Sequence, residues 1–403
     1  LRVLAVAHAS YSASEWPSDV RRFEFEFLGL LGLMDPLRAG VAEAVRQCQD
    51  AGIRVLMITG DYPATARAIA MRAGLAPGDI VSGEEIGALR EDALRARLRG
   101  AQVCARISPE QKLAIVRALE ADGAVVAMTG DGVNDAPALK AAHVGIAMGG
   151  RGTDVAREAA ALTLLDDNFA SIVRAVRLGR RIFNNMQKSM SYILAVHVPI
   201  AGAALLPVLF GWPPLLLPMH IAFLELVIDP ACTLAFEAEA PDEDIMRRPP
   251  RAPDAPLFAG ATMVSSLFQG AVVLAVVIAL YVWAQRHLGE TEARSLAFVA
   301  MVTGNLTLLL AYRSRTRSIV ETLARANATL WAIEAGSLAL LAAVLYVPGL
   351  RGIFRMSPLD PAILALGAGA GVLAAFPFEA VKLAGRWVQR VRLEDKPPFT
   401  ETP

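Results

Sequence analysis

Two Thr-Gly-Asp triplets, Thr59-Gly60-Asp61 and Thr129-Gly130-Asp131, each close a short apolar run, RVLMIT at 54–59 and AVVAMT at 124–129. Such runs, ended by glycine, read as buried parallel strands. In open α/β sheets ligands lie outside the carboxyl ends of the strands, so both triplets sit where a ligand would bind. A hydroxyl, backbone N–H groups and carboxylates converging there suit a phosphoryl group and Mg²⁺, a hard cation that takes oxygen ligands and keeps several waters. Asp131 and Asp135 supply the charge, and the glycines let backbone approach the phosphate. Lys112, in ARISPEQK (105–112), adds a fixed positive charge for the developing phosphoryl oxygens. A single Gly-Asp is a common turn. The conjunction of two triplets, the lysine and the Asn134-Asp135 pair is what points to phosphoryl chemistry.

The elements that must position these residues alternate along the first half. Amphipathic stretches at 39–50 and 110–121 lie around the apolar runs, the pattern of a doubly wound α/β domain. Cys48, Cys104 and Cys232 are far apart and form no CxxC, so they read as small buried apolar residues. The formal net charge is zero, which offers no electrostatic footprint for nucleic acid. With 55% hydrophobic residues and a mean hydropathy of +0.44, the chain is too apolar for an ordinary soluble enzyme.

That excess lies in the second half. Six apolar stretches, at 189–210, 215–236, 263–283, 296–312, 329–347 and 362–378, have lengths that suit a bilayer. Arginines follow the second (247, 248, 251), fourth (313, 315, 317) and sixth (386, 390, 392), whereas GWPPLLLP after the first has no charge. Positive residues mark the cytoplasmic side, which places the α/β domain and the C-terminus there. Arg286, Arg294, Arg351 and Arg355 reduce the contrast without reversing it.

Acids inside a span are functional by default, because each costs roughly 2.5–3.5 kcal/mol at the helix centre. Glu225 and Asp229 are four residues apart in the second span and share a helix face. Pro230 lacks an N–H and in α-helical register frees the Leu226 carbonyl; Pro199 likewise frees that of Ala195, near His197. These groups form a candidate cation site, with His197 as ligand, proton carrier or packing residue. Glu334, in the fifth span, is expected to pair with a polar group of a neighbouring helix.

DPLR (35–38), MITGD (57–61), ARISPEQK (105–112), TGDGVNDAPALK (129–140), GIAMG (145–149), DDNF (166–169), GRRIFNNMQK (179–188) and DEDIMRRPPR (242–251) cover essentially the whole chain. Together they resemble the P-type cation-transporting ATPases, and six spans after the phosphorylation domain resemble the calcium-pump-like, type II group. The resemblance implies a haloacid-dehalogenase-like, Rossmann-like α/β phosphorylation domain over 1–186, a helical transmembrane domain over 187–385 equivalent to the last six helices of a ten-helix pump, and a cytoplasmic tail over 386–403. It implies ATP and Mg²⁺ as cofactors. Thr59 and Lys112 would contact an aspartyl phosphate, Asp131 would bind Mg²⁺, Asn134 and Asp135 would organise the site, and Asp61 would lie near the nucleotide. Calcium pumps of this type carry Asn and Glu in the first of these helices and Asn, Thr and Asp in the second. Here the matching positions are His197 and Ile200, then Glu225, Ile228 and Asp229, which leaves one divalent ion, such as Ca²⁺, rather than two.

One departure matters. The family's phosphorylated aspartate sits in a DKTGT segment, and the only Asp-Lys pair here is Asp395-Lys396, followed by Pro397. The chain is therefore expected to be an inactive fragment whose actuator and nucleotide-binding domains and first four helices lie elsewhere. Its sheet is expected to be incomplete, with an exposed edge. The setting implied is a bacterial plasma membrane, with the bilayer and the transported cation as partners. A non-catalytic subunit or relic and a membrane-tethered phosphatase are the competing readings.

Overall fold

The computed structural model describes residues 2–12, 15–33, 36–252, 254–256, 260–314, 317–325, 327–380 and 382. Asp35, Arg315, the tail arginines and Asp395-Lys396 lie outside the described residues. There are two compact units, 1–177 with 243–253, and 178–242 with the described residues from 254 onward. The sequence reading places the change at 186. No proline precedes Pro199 in helix Phe169–Phe210, and the division falls inside that continuous helix.

In the first unit, strands β1 (Arg2–His8) and β2 (Glu26–Leu33) form an antiparallel ribbon, and its side chains Val3, Leu4, Phe27 and Leu30 are exposed. The remaining strands are β3 (Met57–Ile58), β4 (Val81–Ser82), β5 (Val103–Ala105), β6 (Ala127–Gly130), β7 (Val144–Met148) and β8 (Leu162–Leu164). They make two parallel sheets of three strands each, in the orders β3-β5-β4 and β6-β7-β8. The two strands that carry the Thr-Gly-Asp triplets are therefore both sheet edges. The expected strand at 54–59 keeps a ladder only at Met57–Ile58, because β5 is its one partner.

Helix Pro109–Ala121 packs against both halves. Ile115 lies in a core with Val81, Leu98 and Cys104, and Val116 in one with Met128, Leu139 and Ala147. Its start is fixed by a capping box. Ser108 Oγ accepts from Gln111 N–H at 3.4 Å, Gln111 Oε1 accepts from Ser108 N–H at 3.0 Å, and Pro109 opens the first turn. Gln111 Nε2 also donates to Gly83 O at 2.7 Å, which ties the helix to the segment after β4.

Among the described residues six helices are long and apolar enough to cross a membrane: Phe169–Phe210, whose first turns belong to the first unit, and Pro218–Glu237, Gly260–His287, Glu290–Tyr312, Ala328–Tyr346 and Pro361–Ala380. Each coincides with an expected span. The fourth is buried almost throughout, and small residues let its neighbours approach. A side chain at Gly371 would overlap Ala300 O and Thr303 Oγ1. Beyond the ends of the second and fourth spans, Glu239 and Arg313 form a buried ion pair at 3.0 Å. Arg313 also donates to Thr322 O at 2.8 Å, and Asn327 Nδ2 donates to Glu239 at 2.9 Å and to Ala235 O at 3.2 Å. Arg181 Nε and Asn185 Nδ2, on the first helix, both donate to Glu239 O at 2.9 Å.

Removing one partner of a buried pair leaves an uncompensated charge, which costs about 3–5 kcal/mol. Glu239→Gln is therefore expected to lower the thermal midpoint of the protein in detergent sharply. Asp244→Asn, which breaks the exposed pair with Arg248 at 2.6 Å, should change stability by about 1 kcal/mol or less. Equal midpoints for the two variants would show that Glu239 does not hold these helix ends.

Candidate functional site

The first constellation is built on the edge strands. Past β3, Thr59 N–H donates to Cys104 O at 2.9 Å, and Thr59 O accepts from Ile107 N–H at 3.1 Å. The Thr59 hydroxyl accepts from Asp61 N–H at 3.1 Å, and Asp61 O accepts from Arg106 N–H at 3.0 Å. The Thr59-Gly60-Asp61 turn is thus held against the segment leaving β5. There Arg106 adopts φ +57°, a left-handed conformation uncommon outside glycine. Its carbonyl occupies the space a side chain at Gly83 would need. Its guanidinium lies 4.6 Å from the centre of the Tyr62 ring. Burial pushes the Cys104 thiol up to about 12, so this cysteine is a packing residue and not a nucleophile.

Past β6, the buried Asp135 carboxylate accepts from Lys112 Nζ at 2.5 Å through Oδ1 and from Gly132 N–H at 3.2 Å through Oδ2. Gly130 has to be glycine, since an added Cβ would lie 2.6 Å from that of Asp135. Asp131 and Asn134 are exposed. The Asp131 carbonyl accepts from Thr153 N–H at 2.9 Å, which orients the loop. Of the two carboxylates expected at the metal, Asp135 is thus occupied by Lys112 and Gly132, and Asp131 faces solvent. Lys112, expected at the phosphoryl oxygens, meets this second triplet's loop through Asp135. Thr59, Gly60 and Asp61 close the edge of the other sheet.

Two residues the sequence reading did not single out hold this surface. Thr153 caps helix Asp154–Ala159 by accepting from Ala156 N–H at 3.2 Å, and a Thr-Asp pair before a helical segment is a readable cap signal. Asp167 accepts from Gly150 and Arg151 N–H, both at 3.0 Å, so the second Asp of DDNF braces the turn after β7.

The second constellation lies in the membrane unit. His197, Glu225 and Asp229 offer ligand atoms within 4.8 Å of one another. His197 Nδ1 contacts Ile193 O at 2.8 Å, and Nε2 lies 3.3 Å from Glu225 Oε2. A carbonyl only accepts, so Nδ1 carries the hydrogen and Nε2 faces the carboxylate, a contact satisfied either by a proton on Nε2 or by a cation between the two atoms. Asp229 is buried, and neither carboxylate oxygen has a hydrogen-bond partner among the described residues.

The backbone here differs from the α-helical expectation. Leu224–Ile228 is a π-helical turn, and Asp229 N–H reaches back five residues to Leu224 O. Continued by one residue, that register points the donor Pro230 lacks at Glu225 O and not at Leu226 O. Such turns are frequent at functional sites. The Ala195 carbonyl freed by Pro199 is not open to a ligand, because it packs against Gly270 of the third span, where a side chain would collide with it. Ile200 and Ile228 are buried apolar residues.

Comparison with known proteins agrees with both halves. Residues 8–143 match the haloacid dehalogenase-like hydrolases, and residues 213–384 match the family described as "Cation transporting ATPase, C-terminus". A calcium-transporting ATPase of Bacillus subtilis is 38% identical over 384 residues, covering 93% of this chain and 43% of that protein. A probable cation-transporting ATPase F of Mycobacterium tuberculosis is 38% identical over 371 residues, 89% of this chain and 41% of that one. The rat calcium-transporting ATPase type 2C member 2 is 35% identical over 377 residues, 92% and 40% respectively. The chain thus spans about two fifths of the length of these relatives. With a haloacid-dehalogenase-like half and a multi-pass half matched in chain order, and TGDGVND placed at a strand end, this chain belongs to the P-type cation-transporting ATPase family.

Proposed function

We propose that this chain supplies the phosphoryl-handling surface and the ion site of a pump that moves a divalent cation at the expense of ATP, through an aspartyl phosphate. The observation that carries the reading is the His197–Glu225–Asp229 group: a buried carboxylate with no partner among the described residues beside a histidine–carboxylate contact of 3.3 Å, on membrane-spanning helices. Carboxylates with one imidazole suit a divalent ion such as Ca²⁺ or Mn²⁺. The relatives named for calcium transport favour Ca²⁺. The arginines flanking the spans favour a cytoplasmic first unit.

In this reading the nucleophilic aspartate, which no segment of this sequence carries, arrives on a strand from the remainder of the pump. The two open edges, β3 and β6, suit such a strand. Its carboxylate would attack the γ-phosphorus of ATP, ADP would leave, and water would later cleave the acyl phosphate. The exposed Asp131 fits a Mg²⁺ ligand, since its carboxylate faces solvent while that of Asp135 is taken. Bound Mg²⁺ would neutralise charge on the phosphoryl oxygens. Asp135 orients the Lys112 ammonium, and the backbone of Gly60 and Gly130 leaves room for the transferred group. Thr59 would donate its hydroxyl proton to a phosphoryl oxygen while accepting from Asp61 N–H.

Two tests separate the parts. In membranes carrying the whole pump, Lys112→Met is expected to reduce acid-stable phosphate incorporation from ATP by about 10²-fold; wild-type incorporation would rule Lys112 out of the phosphoryl site. Asp229→Asn should raise the Ca²⁺ or Mn²⁺ concentration for half-maximal phosphorylation by at least about tenfold, or roughly 1.4 kcal/mol. An unchanged ion dependence would remove Asp229 from the ion site and leave the phosphoryl assignment standing.

A further inference from the structure

Glu334 lies on the fifth span, Ala328–Tyr346, and is 8% exposed. Its Oε1 is buried and has no hydrogen-bond partner among the described residues, so the expected pairing with a neighbouring helix is not made through that oxygen. The titratable groups within electrostatic reach are Tyr192 of the first span and Cys232 of the second. Neither of these is cationic. The fourth span carries its charges, Glu290, Glu292 and Arg294, within its first turns, and Arg313 follows its end. Arg351, on the short helix Pro348–Phe354, lies beyond the far end of the fifth span. That end is twelve residues from Glu334, about 18 Å along a helix.

Glu334 is not a fourth ligand of the ion site. The ligand atoms grouped within 4.8 Å are those of His197, Glu225 and Asp229, and Glu334 is outside that group. Nor do its surroundings make a cage of their own. Glu334 and Tyr192 offer three oxygens between them, short of the six or more that a hard cation takes. An ionised carboxylate buried without a paired cation is costly in hydrocarbon, whereas the neutral acid can remain.

We propose that Glu334 is a proton-binding site of the membrane unit, separate from the divalent site. The proton comes from solvent, one O–H bond forms on the carboxylate, and no other bond changes. The occupancy of this site by a proton does not depend on the pump reading.

The test is infrared spectroscopy of the full chain in lipid nanodiscs at pH 7, with Mn²⁺ binding measured on the same samples. The wild type is expected to show the carbonyl stretch of a protonated carboxylic acid. Glu334→Gln should lose that band and keep Mn²⁺ affinity within about twofold. Asp229→Asn should keep the band and lose affinity at least about tenfold. If Glu334→Gln does not fold, labelling the wild type with ¹³C-glutamate must shift the band and labelling with ¹³C-aspartate must not. A spectrum in which Glu334→Gln changes nothing, or a band that responds only to aspartate labelling, overturns the proposal. A tenfold loss of Mn²⁺ affinity in Glu334→Gln also overturns it, by making Glu334 an ion ligand.

Discussion

Both strands that end in Thr-Gly-Asp are edges, and this open arrangement is the constraint on which the first unit depends. An edge strand presents unpaired N–H and C=O groups, and β3 and β6 each have a single neighbour, β5 and β7 respectively. No strand ladder joins the two sheets among the described residues, so other contacts have to. Helix Pro109–Ala121 provides them, with Ile115 in one core, Val116 in the other, and Lys112 paired to Asp135 beyond β6. Residues at adjacent positions on that helix thus carry packing and chemistry together. A shift of the helix would move the ammonium and both cores at once. The capping box at Ser108 and the Gln111 bond to Gly83 fix where it starts.

The membrane unit sorts its buried polar groups into two kinds. Around Glu239, the charges are matched and the bonds satisfied: Arg313, Asn327, Arg181 and Asn185 meet its side chain or its carbonyl. Such a network rigidifies the ends of several helices. Asp229 and Glu334 are equally buried and lack partners at three of their four carboxylate oxygens among the described residues. A low-dielectric interior makes an unmatched group costly. The contrast between a satisfied network at the helix ends and unsatisfied acids inside the spans is the physical mark of a site that something mobile must complete.

Much of this was legible beforehand. Run length alone located all six spans, and the Thr-Gly-Asp triplets fell at strand ends as their apolar runs implied. Four features were not. The strand at 54–59 is shorter than its apolar run because an edge with one partner has a ladder only where that partner reaches, which depends on a sheet neighbour more than 40 residues away in sequence. The π turn before Pro230 and the closing of Ala195 O by Gly270 are tertiary outcomes, set by how helices meet and invisible to a rule applied along one helix. The pairing of Lys112 with Asp135, at 23 residues' separation, needed the fold as well, although both residues were already in the motif.

His197 shows how a local bond decides a distant question. Taken as a lone histidine in a span, it reads most economically as packing. The Ile193 carbonyl one turn back takes the Nδ1 hydrogen, which leaves Nε2 as the ring atom that faces Glu225. The same second-sphere bond is what orients imidazole ligands at metal centres. With the π turn setting the backbone around Glu225 and Asp229, two adjustments of ordinary helix hydrogen bonding bring three polar residues together as the proposed ligand set. A third acid, Glu334, lies outside that set yet within electrostatic reach of the same Tyr192 and Cys232 that Asp229 reaches.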